Sequence, residues 1–486
     1  MGAVVKVKGD IRRAPNFGGA LAKGLTAVLF VASACLPGLG GAYSRTVTSA
    51  QPGVGFFTPE GSHAELVSKT QFGMVNVHSP DELAANLRMA KGTPFKVNVD
   101  FGPVIARPSD KSIIKTTYRD LAGVLRTKAF APLSQTKLRQ FPVNDQLKTL
   151  LAPYFDVLKR YAPNVGIVFL ADEPYLNGIP KSEMERVGVV ARHELDVRGL
   201  KSVKLGVIFA SGMFDSDFAT MIDRQAGEYA KRIDDYYRTG QAPAQWVETM
   251  RTSRLSTYDS AGNMYTGGGI PKGFDVVGFD FYLSTMLLDG LHQDTLSWFA
   301  AHYPGAGCDR FANQTMTQIH SKLSFFDHRS MQPGTQDADR ALLDAIYECR
   351  MQATTTMLQR DLPQGRPLQL LMISESSNNG VLEFYSDGSP KQKQPSLLVE
   401  ARVLDEVHRA EKFFTAHRSS YTAGLMFFTY QNTYDKTISL NIGGASGMPS
   451  VMRSIFDFSA AAAPGHGSNP SDQTKGRNAG SAGIAY

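Results

Sequence analysis

Seven short apolar runs dominate this chain, and they hardly alternate with polar residues. They are FGMVNVH (72–78), FKVNVDF (95–101), VGIVFLA (165–171), VKLGVIFAS (203–211), DVVGFDFY (275–282), LQLLMISES (368–376) and AGLMFFTY (423–430). A strand with one wet face alternates apolar and polar side chains. A near-continuous apolar run marks a strand covered on both faces, as in a parallel sheet. Helical patterns fall between the runs. SPDELAANLRMAKG (79–92) places Ser79 as N-cap, Pro80 in the first turn, acidic Asp81 and Glu82 at the positive helix end, and Gly92 as the stop. The repeated strand-then-helix order calls for a parallel sheet. A weaker run, VGFFTPE (54–60), supplies the eighth strand needed for closure. The expected fold class is therefore α/β, a (β/α)8 TIM barrel over residues 55–458. Long βα-loop insertions at 212–274 and 283–367 are expected to build its rim.

The ends of the chain read differently. Lys6, Lys8, Arg12, Arg13 and Lys23 stand against Asp10, and an uncharged run, GLTAVLFVASA (24–34), follows. This pattern fits a signal peptide or lipoprotein leader over 1–42, with Cys35 as the candidate lipidation site. The expected location is periplasmic or secreted, with any membrane attachment through a lipid on Cys35. Residues 43–54 read as a linker. Residues 459–486, rich in Ala, Gly, Ser and Asn, read as a disordered tail. The leader carries most of the formal net charge of +6, so a basic balance gives no case for nucleic acid. Cys308 and Cys349 remain as a candidate disulfide, with two buried thiols as the alternative.

No CxxC pair, HExxH, P-loop or GxSxG elbow is present, and no cofactor is expected. What remains is carboxylates at strand ends. In a barrel, polar residues at the C-terminal ends of the strands face the active site. VGIVFLA runs into Asp172 and Glu173, and LQLLMISES ends near Glu375. Parity adds Asn98 and Asp100 on one strand and Asp280 and Tyr282 on another. His78 ends the first of the seven runs, and Phe428, Tyr430, Gln431 and Asn432 follow or end the last.

The motifs ADEP, VVGFDFY, ISES and GLMFFTYQN, in this order, resemble the (β/α)8 retaining glycoside hydrolases of clan A. The resemblance covers roughly residues 50–458. It implies a carbohydrate substrate, with Glu173 as acid/base at the end of the fourth strand and Glu375 as nucleophile at the end of the seventh. The remaining candidates become substrate-binding residues by the same resemblance: Asp172, His78, Asn98, Asp100, Asp280, Tyr282, Phe428, Tyr430 and Asn432. Two departures stand out. The family usually has Asn where this chain has Asp172, and tends to have Trp where Phe427, Phe428 and Tyr430 lie. These departures leave open a non-catalytic barrel that binds polysaccharide during export. A third expectation, a metal-dependent hydrolase, would draw on His78, Asp100 and Asp280.

Overall fold

The computed structural model describes residues 52–463 apart from 109–113, 120–124, 131–138, 176, 222–267, 284–294, 316–317, 320–321, 323–336, 361–367, 379–396 and 436–439. Cys35, the leader, most of the expected linker and the tail beyond residue 463 lie outside the described residues.

Eight parallel strands close into a barrel in sequential order. They are β1 Val54–Phe57, β2 Phe72–Asn76, β3 Lys96–Asp100, β4 Val165–Asp172, β5 Lys204–Ala210, β6 Val276–Phe281, β7 Gln369–Glu375 and β8 Gly424–Phe428. The weak first run is a true strand: it pairs with both β2 and β8 and so closes the cylinder. The main helices are α1 Ala64–Lys69, α2 Pro80–Ala90, α3 Asn144–Arg160, α4 Lys181–Val197, α5 Thr295–His302, α6 Asp337–Arg360, α7 Leu397–Ala416 and α8 Pro449–Ala462. The last of these carries the ordered chain past residue 458. Ser459, read from sequence as part of the tail, is buried and donates its hydroxyl to the Lys69 carbonyl at 2.9 Å.

Each strand sorts its side chains between two cores. Phe72, Met74, Ile167, Phe169, Ile208, Val276, Leu371, Ile373 and Met426 fill the barrel interior. Their neighbours in sequence, such as Val75, Val97, Val168 and Phe279, face the helices. This double burial is the cause of the unbroken apolar runs. Interior rings leave no room for a side chain at some strand positions: a Cβ on Gly206 would lie 2.5 Å from the Phe169 ring.

Helix α2 forms as its sequence demands. The Ser79 hydroxyl accepts the Glu82 amide at 3.2 Å, and Gly92 turns the chain away with φ +82°. Buried Asn164 then ties the start of β4 to the α2–β3 turn, its amide reaching the carbonyls of Ala90, Thr93 and Phe95 at 2.8–3.0 Å.

Cys308 and Cys349 form a disulfide with Cα atoms 4.7 Å apart, joining the segment after α5 to the middle of α6. The bridge closes a loop across a sequence separation of 41. Chain entropy for a loop of that size is worth about 4 kcal/mol. Cys308→Ser or treatment with reductant should therefore lower the melting temperature by several degrees. Calorimetry with and without dithiothreitol, on wild type and the variant, checks this: the variant should melt low and respond to neither condition.

Candidate active site

A pleated strand sends successive side chains to opposite faces, so adjacent Asp172 and Glu173 ought to point apart. The barrel wall breaks that alternation. On β4, Ile167 and Phe169 face inward, but Leu170 and Ala171 both pack on the outer core. The pairing of β4 with β5 jumps from Phe169↔Gly206 to Asp172↔Ile208, three residues against two. This is a β-bulge, and it turns Asp172 into the mouth. Glu173 follows with φ +46°, the left-handed region that non-glycine residues rarely occupy. Its amide is held by the Ile208 carbonyl at 3.0 Å, and its own carbonyl accepts the Asn177 backbone and side-chain amides.

Four further strand ends meet these two carboxylates. Asp100 ends β3 on the inward face, buried, with one oxygen accepting the Gly102 amide at 2.8 Å. Asp280 continues the inward row of Val276 and Gly278 on β6. Glu375 ends β7 in line with inward Leu371 and Ile373 and is fully buried. It accepts the Ser377 amide at 3.2 Å and the Ser377 hydroxyl. Phe428 ends β8 opposite Glu375 in register. It stacks on Phe57 of β1, with ring centres 5.5 Å apart and planes 18° off parallel, and its other neighbour is the Tyr282 ring at 5.6 Å. The mouth thus has an aromatic wall beside a carboxylate floor. The peptide bond between Phe428 and Thr429 is cis.

The electrostatics follow from this crowding. Burial pushes Asp100 up to about 7, against the pull of its hydrogen bond from Gly102. Asp280 is also pushed to about 7 by burial and then by the charge of Asp172, although it takes hydrogen bonds from Glu173, the Ser211 amide and Tyr282. The Glu173 side chain thus lies in hydrogen-bonding contact with Asp280. Asp172 is raised by enclosure in the mouth and by the charges of Glu173 and Asp100. Its exposure to solvent along the opening moderates the first of these causes. Tyr282 is held in its protonated form by enclosure and by Asp280, Glu375, Asp172 and Glu173, and is therefore a hydrogen-bond donor among carboxylates.

Among the described residues, no Lys, Arg or His forms a salt bridge with Asp100, Asp172 or Asp280. Asp275, one residue before the start of β6 and so at the far end of the barrel, is paired with Arg192 at 2.7 Å.

No family model and no curated protein sequence matches the chain. Solved structures do resemble it. The Prevotella bryantii endo-β-mannanase/endo-β-glucanase is 9% identical with a TM-score of 0.38, and the match covers 84% of this chain and 48% of that one. This chain thus spans about half the length of the Prevotella enzyme. The GH53 catalytic domain of Ignisphaera aggregans is 12% identical at a TM-score of 0.35, covering 83% and 91%. The Penicillium canescens endo-1,4-β-xylanase is 9% identical at 0.34, covering 85% and 94%. Scores this low carry no functional reading, and the barrel stands on its own strand order.

The structure brings Asp100, Asp172, Glu173, Asp280, Tyr282, Glu375 and Phe428 to one mouth. It sets four other sequence candidates apart. Asn98 lies one inward position deeper, its side-chain Oδ1 accepting the Ile167 amide at 2.8 Å where the β3–β4 register shifts. His78 falls beyond the end of β2: its side chain is exposed and its backbone joins the entry to α2 through Glu82 and Tyr154. The expected His78, Asp100 and Asp280 metal set is therefore not assembled. No group of three or more His, Cys, Asp or Glu among the described residues is arranged to hold a metal. Tyr430 packs on Phe56 and His63 and donates to Glu65 at 3.0 Å, on the outer side of the wall. Asn432 accepts the Gly444 amide at 2.9 Å and braces a loop.

Sequence reading missed two residues of the mouth. Asn76 ends β2 on the same inward parity as Met74 and is in register with Asp100; its Oδ1 is buried without a partner. Phe57 is the inward half of the Phe-Phe pair in the weakest strand. The parity that pointed to His78 would have found Asn76 had the strand been ended two residues earlier.

The raised carboxyls set the sign of the pH dependence. The folded protein keeps the Asp100 and Asp280 protons up to about pH 7, whereas the unfolded chain releases them near about pH 4. Their contribution to stability is thus complete at low pH and is lost as pH rises toward and through 7. Asp100→Asn should gain melting temperature on wild type as pH is raised from about 5 to about 8. Paired thermal melts across that range check it, and a constant difference would rule out the shift.

Proposed function

We propose that the chain is a retaining glycoside hydrolase. The observation that supports this best is that Glu173 and Glu375, from strands far apart in sequence, both lie within the electrostatic field of one phenol, Tyr282. Glu375 is fully buried and held by Ser377, suited to fixed nucleophilic aim. Glu173 shares a hydrogen bond with Asp280, suited to delivering a proton.

In the first step the Glu375 carboxylate attacks the anomeric carbon. The bond from that carbon to the glycosidic oxygen breaks, its electron pair staying on oxygen, which takes the Glu173 proton. In the second step Glu173 removes a proton from water as the water oxygen attacks the anomeric carbon. The ester bond breaks and Glu375 leaves as a carboxylate. Tyr282 donates to Asp280, and the Phe57–Phe428 wall offers an apolar face for a sugar ring.

We further propose that the protein acts after export. The Cys308–Cys349 bridge supports this, because such bonds persist in oxidising compartments.

Glu375→Gln should lower turnover of a glycan that wild type cleaves by roughly 10³-fold or more, while leaving glycan binding in place. Glu173→Gln should lower it by about 10²–10⁴-fold, with a smaller loss on aryl glycosides whose leaving group needs no proton. Proton NMR of the first-formed product should show the substrate's anomeric configuration. Inversion would refute the double displacement. Binding without turnover by wild type would leave the non-catalytic carbohydrate-binding barrel in its place.

A further inference from the structure

We infer that Arg350, a residue of α6 packed against the barrel wall, is a positioning residue for the proton donor of the mouth. Its guanidinium holds the Ser211 hydroxyl, which fixes the Ser211 amide on Asp280 and so sets Asp280 against Glu173. The catalytic consequence rests on the glycosidase reading above, and the positioning itself is tested without it.

Arg350 is fully buried. Its guanidinium carbon sits 4.8 Å from the centre of the Phe299 ring, 5.1 Å from Phe281 and 5.3 Å from Phe218. Such faces attract a cation, but they do not satisfy its N–H donors as oxygen acceptors would. Nε and Nη1 are buried without a hydrogen-bond partner among the described residues. Nη2 donates to the Ser211 hydroxyl. Burial lowers the group only to about 9, so it is charged at neutral pH. A buried charge with most of its donors unpaired opposes stability, and an apolar side chain of similar volume would suit this interface better. The hydrogen bond that Arg350 does make is therefore the informative one.

Ser211 follows β5 with φ +46°, a region where glycine is the ordinary choice. Serine brings a hydroxyl to this strained position, and Arg350 takes it. The Ser211 amide donates to the Asp280 carbonyl at 2.9 Å and to its carboxyl Oδ1 at 3.3 Å. Asp280 also takes hydrogen bonds from Glu173 and Tyr282. Helix α6 meets the same turn a second time, where Arg360 pairs with buried Asp215. The Cys308–Cys349 bridge anchors α6 at the residue before Arg350. Direct contacts thus run from a buried cation on a helix to the proton donor.

The first readout needs no substrate. Melting temperatures of the full-length protein, with and without Asp280→Asn, are compared from about pH 5 to about pH 9. The backgrounds are wild type, Arg350→Met, Arg350→Lys, Ser211→Gly and the Arg350→Met/Ser211→Gly double variant. The gain from Asp280→Asn grows with pH and levels off once Asp280 has ionised, at about 7 in wild type. Asp172, Glu173 and Tyr282 act on Asp280 in every background and so do not bias the comparison. Losing the Ser211 amide raises Asp280 further, so Arg350→Met and Ser211→Gly should each move the levelling point up by about one pH unit. The double variant should move it no further than either single change, and Arg350→Lys, which keeps a donor, should restore it. The second readout is kinetic, on hexasaccharides of β-1,4-linked glucose, mannose and N-acetylglucosamine. On whichever of these wild type cleaves, Arg350→Met should lower kcat by roughly tenfold to a hundredfold with KM nearly unchanged. The loss should shrink on the dinitrophenyl glycoside of the same sugar, whose leaving group needs no proton. Circular dichroism checks folding, and Ser211→Gly carries the test where Arg350→Met misfolds. A levelling point that stays put in the folded variants, with only the melting temperature shifted, overturns the inference. So does an unchanged kcat where wild type turns over. A levelling point that moves in a protein that cleaves none of the hexasaccharides upholds the positioning and counts against the glycosidase reading alone.

Discussion

The alternation of a β-strand is the constraint on which this mouth depends. Two neighbouring residues on a regular strand serve opposite faces, so a chain that needs both in one cleft must spend a residue to get them there. Here Leu170 and Ala171 both pack outward, and Asp172 arrives on the inner side. Glu173 then adopts a left-handed backbone, and Ile208 and Asn177 hold it there. Such a conformation costs about 1 kcal/mol or more and persists only where its surroundings over-determine it. The wall of the barrel supplies that determination, since β4 is paired on both sides.

The two ends of the barrel treat charge in opposite ways. At the N-terminal end Asp275 meets Arg192 and the Leu205 amide, and its charge is satisfied within the protein. At the C-terminal end Asp100, Asp172 and Asp280 are gathered without a salt-bridge partner among the described residues, and protons take the place of cations at Asp100 and Asp280. Tyr282 mediates between these groups, and it is held from behind. Glu406, buried on α7, accepts the amide of Leu283, the next residue, at 2.8 Å. The position of the phenol thus depends on a helix packed outside the barrel wall.

The barrel was legible because double burial leaves a signature that composition cannot hide: runs such as VGIVFLA and LQLLMISE have no polar face. The strand ends were legible for the same reason, since Asp172, Glu173 and Glu375 interrupt those runs abruptly. Legibility failed where parity had to be carried past the end of a strand. His78 and Asn76 share a parity, and only hydrogen bonding shows that β2 stops at Asn76. Tyr430 was misplaced likewise, two residues beyond β8, where the chain has turned outward to Phe56 and Glu65. Asn98 was given the right face but the wrong depth. The bulge was invisible in sequence, because Leu170 and Ala171 suit either face of a strand buried on both sides.

Concentrating carboxyls in an enclosed mouth opposes stability, because each proton lost there leaves a charge that neither water nor a cation fully compensates. A sequence under selection for stability alone would place amides at Asp100 and Asp280, which could keep several of the same hydrogen bonds at no cost in charge. The acidic residues stay, and together with the left-handed Glu173 they form two separate departures from the most stable arrangement within a few residues' width of the mouth. Local rules are broken most often where a site is built for something other than folding. The coincidence of backbone strain and crowded carboxyls at the end of β4, on a barrel otherwise packed as its sequence dictates, points to function there and needs no likeness to any other protein.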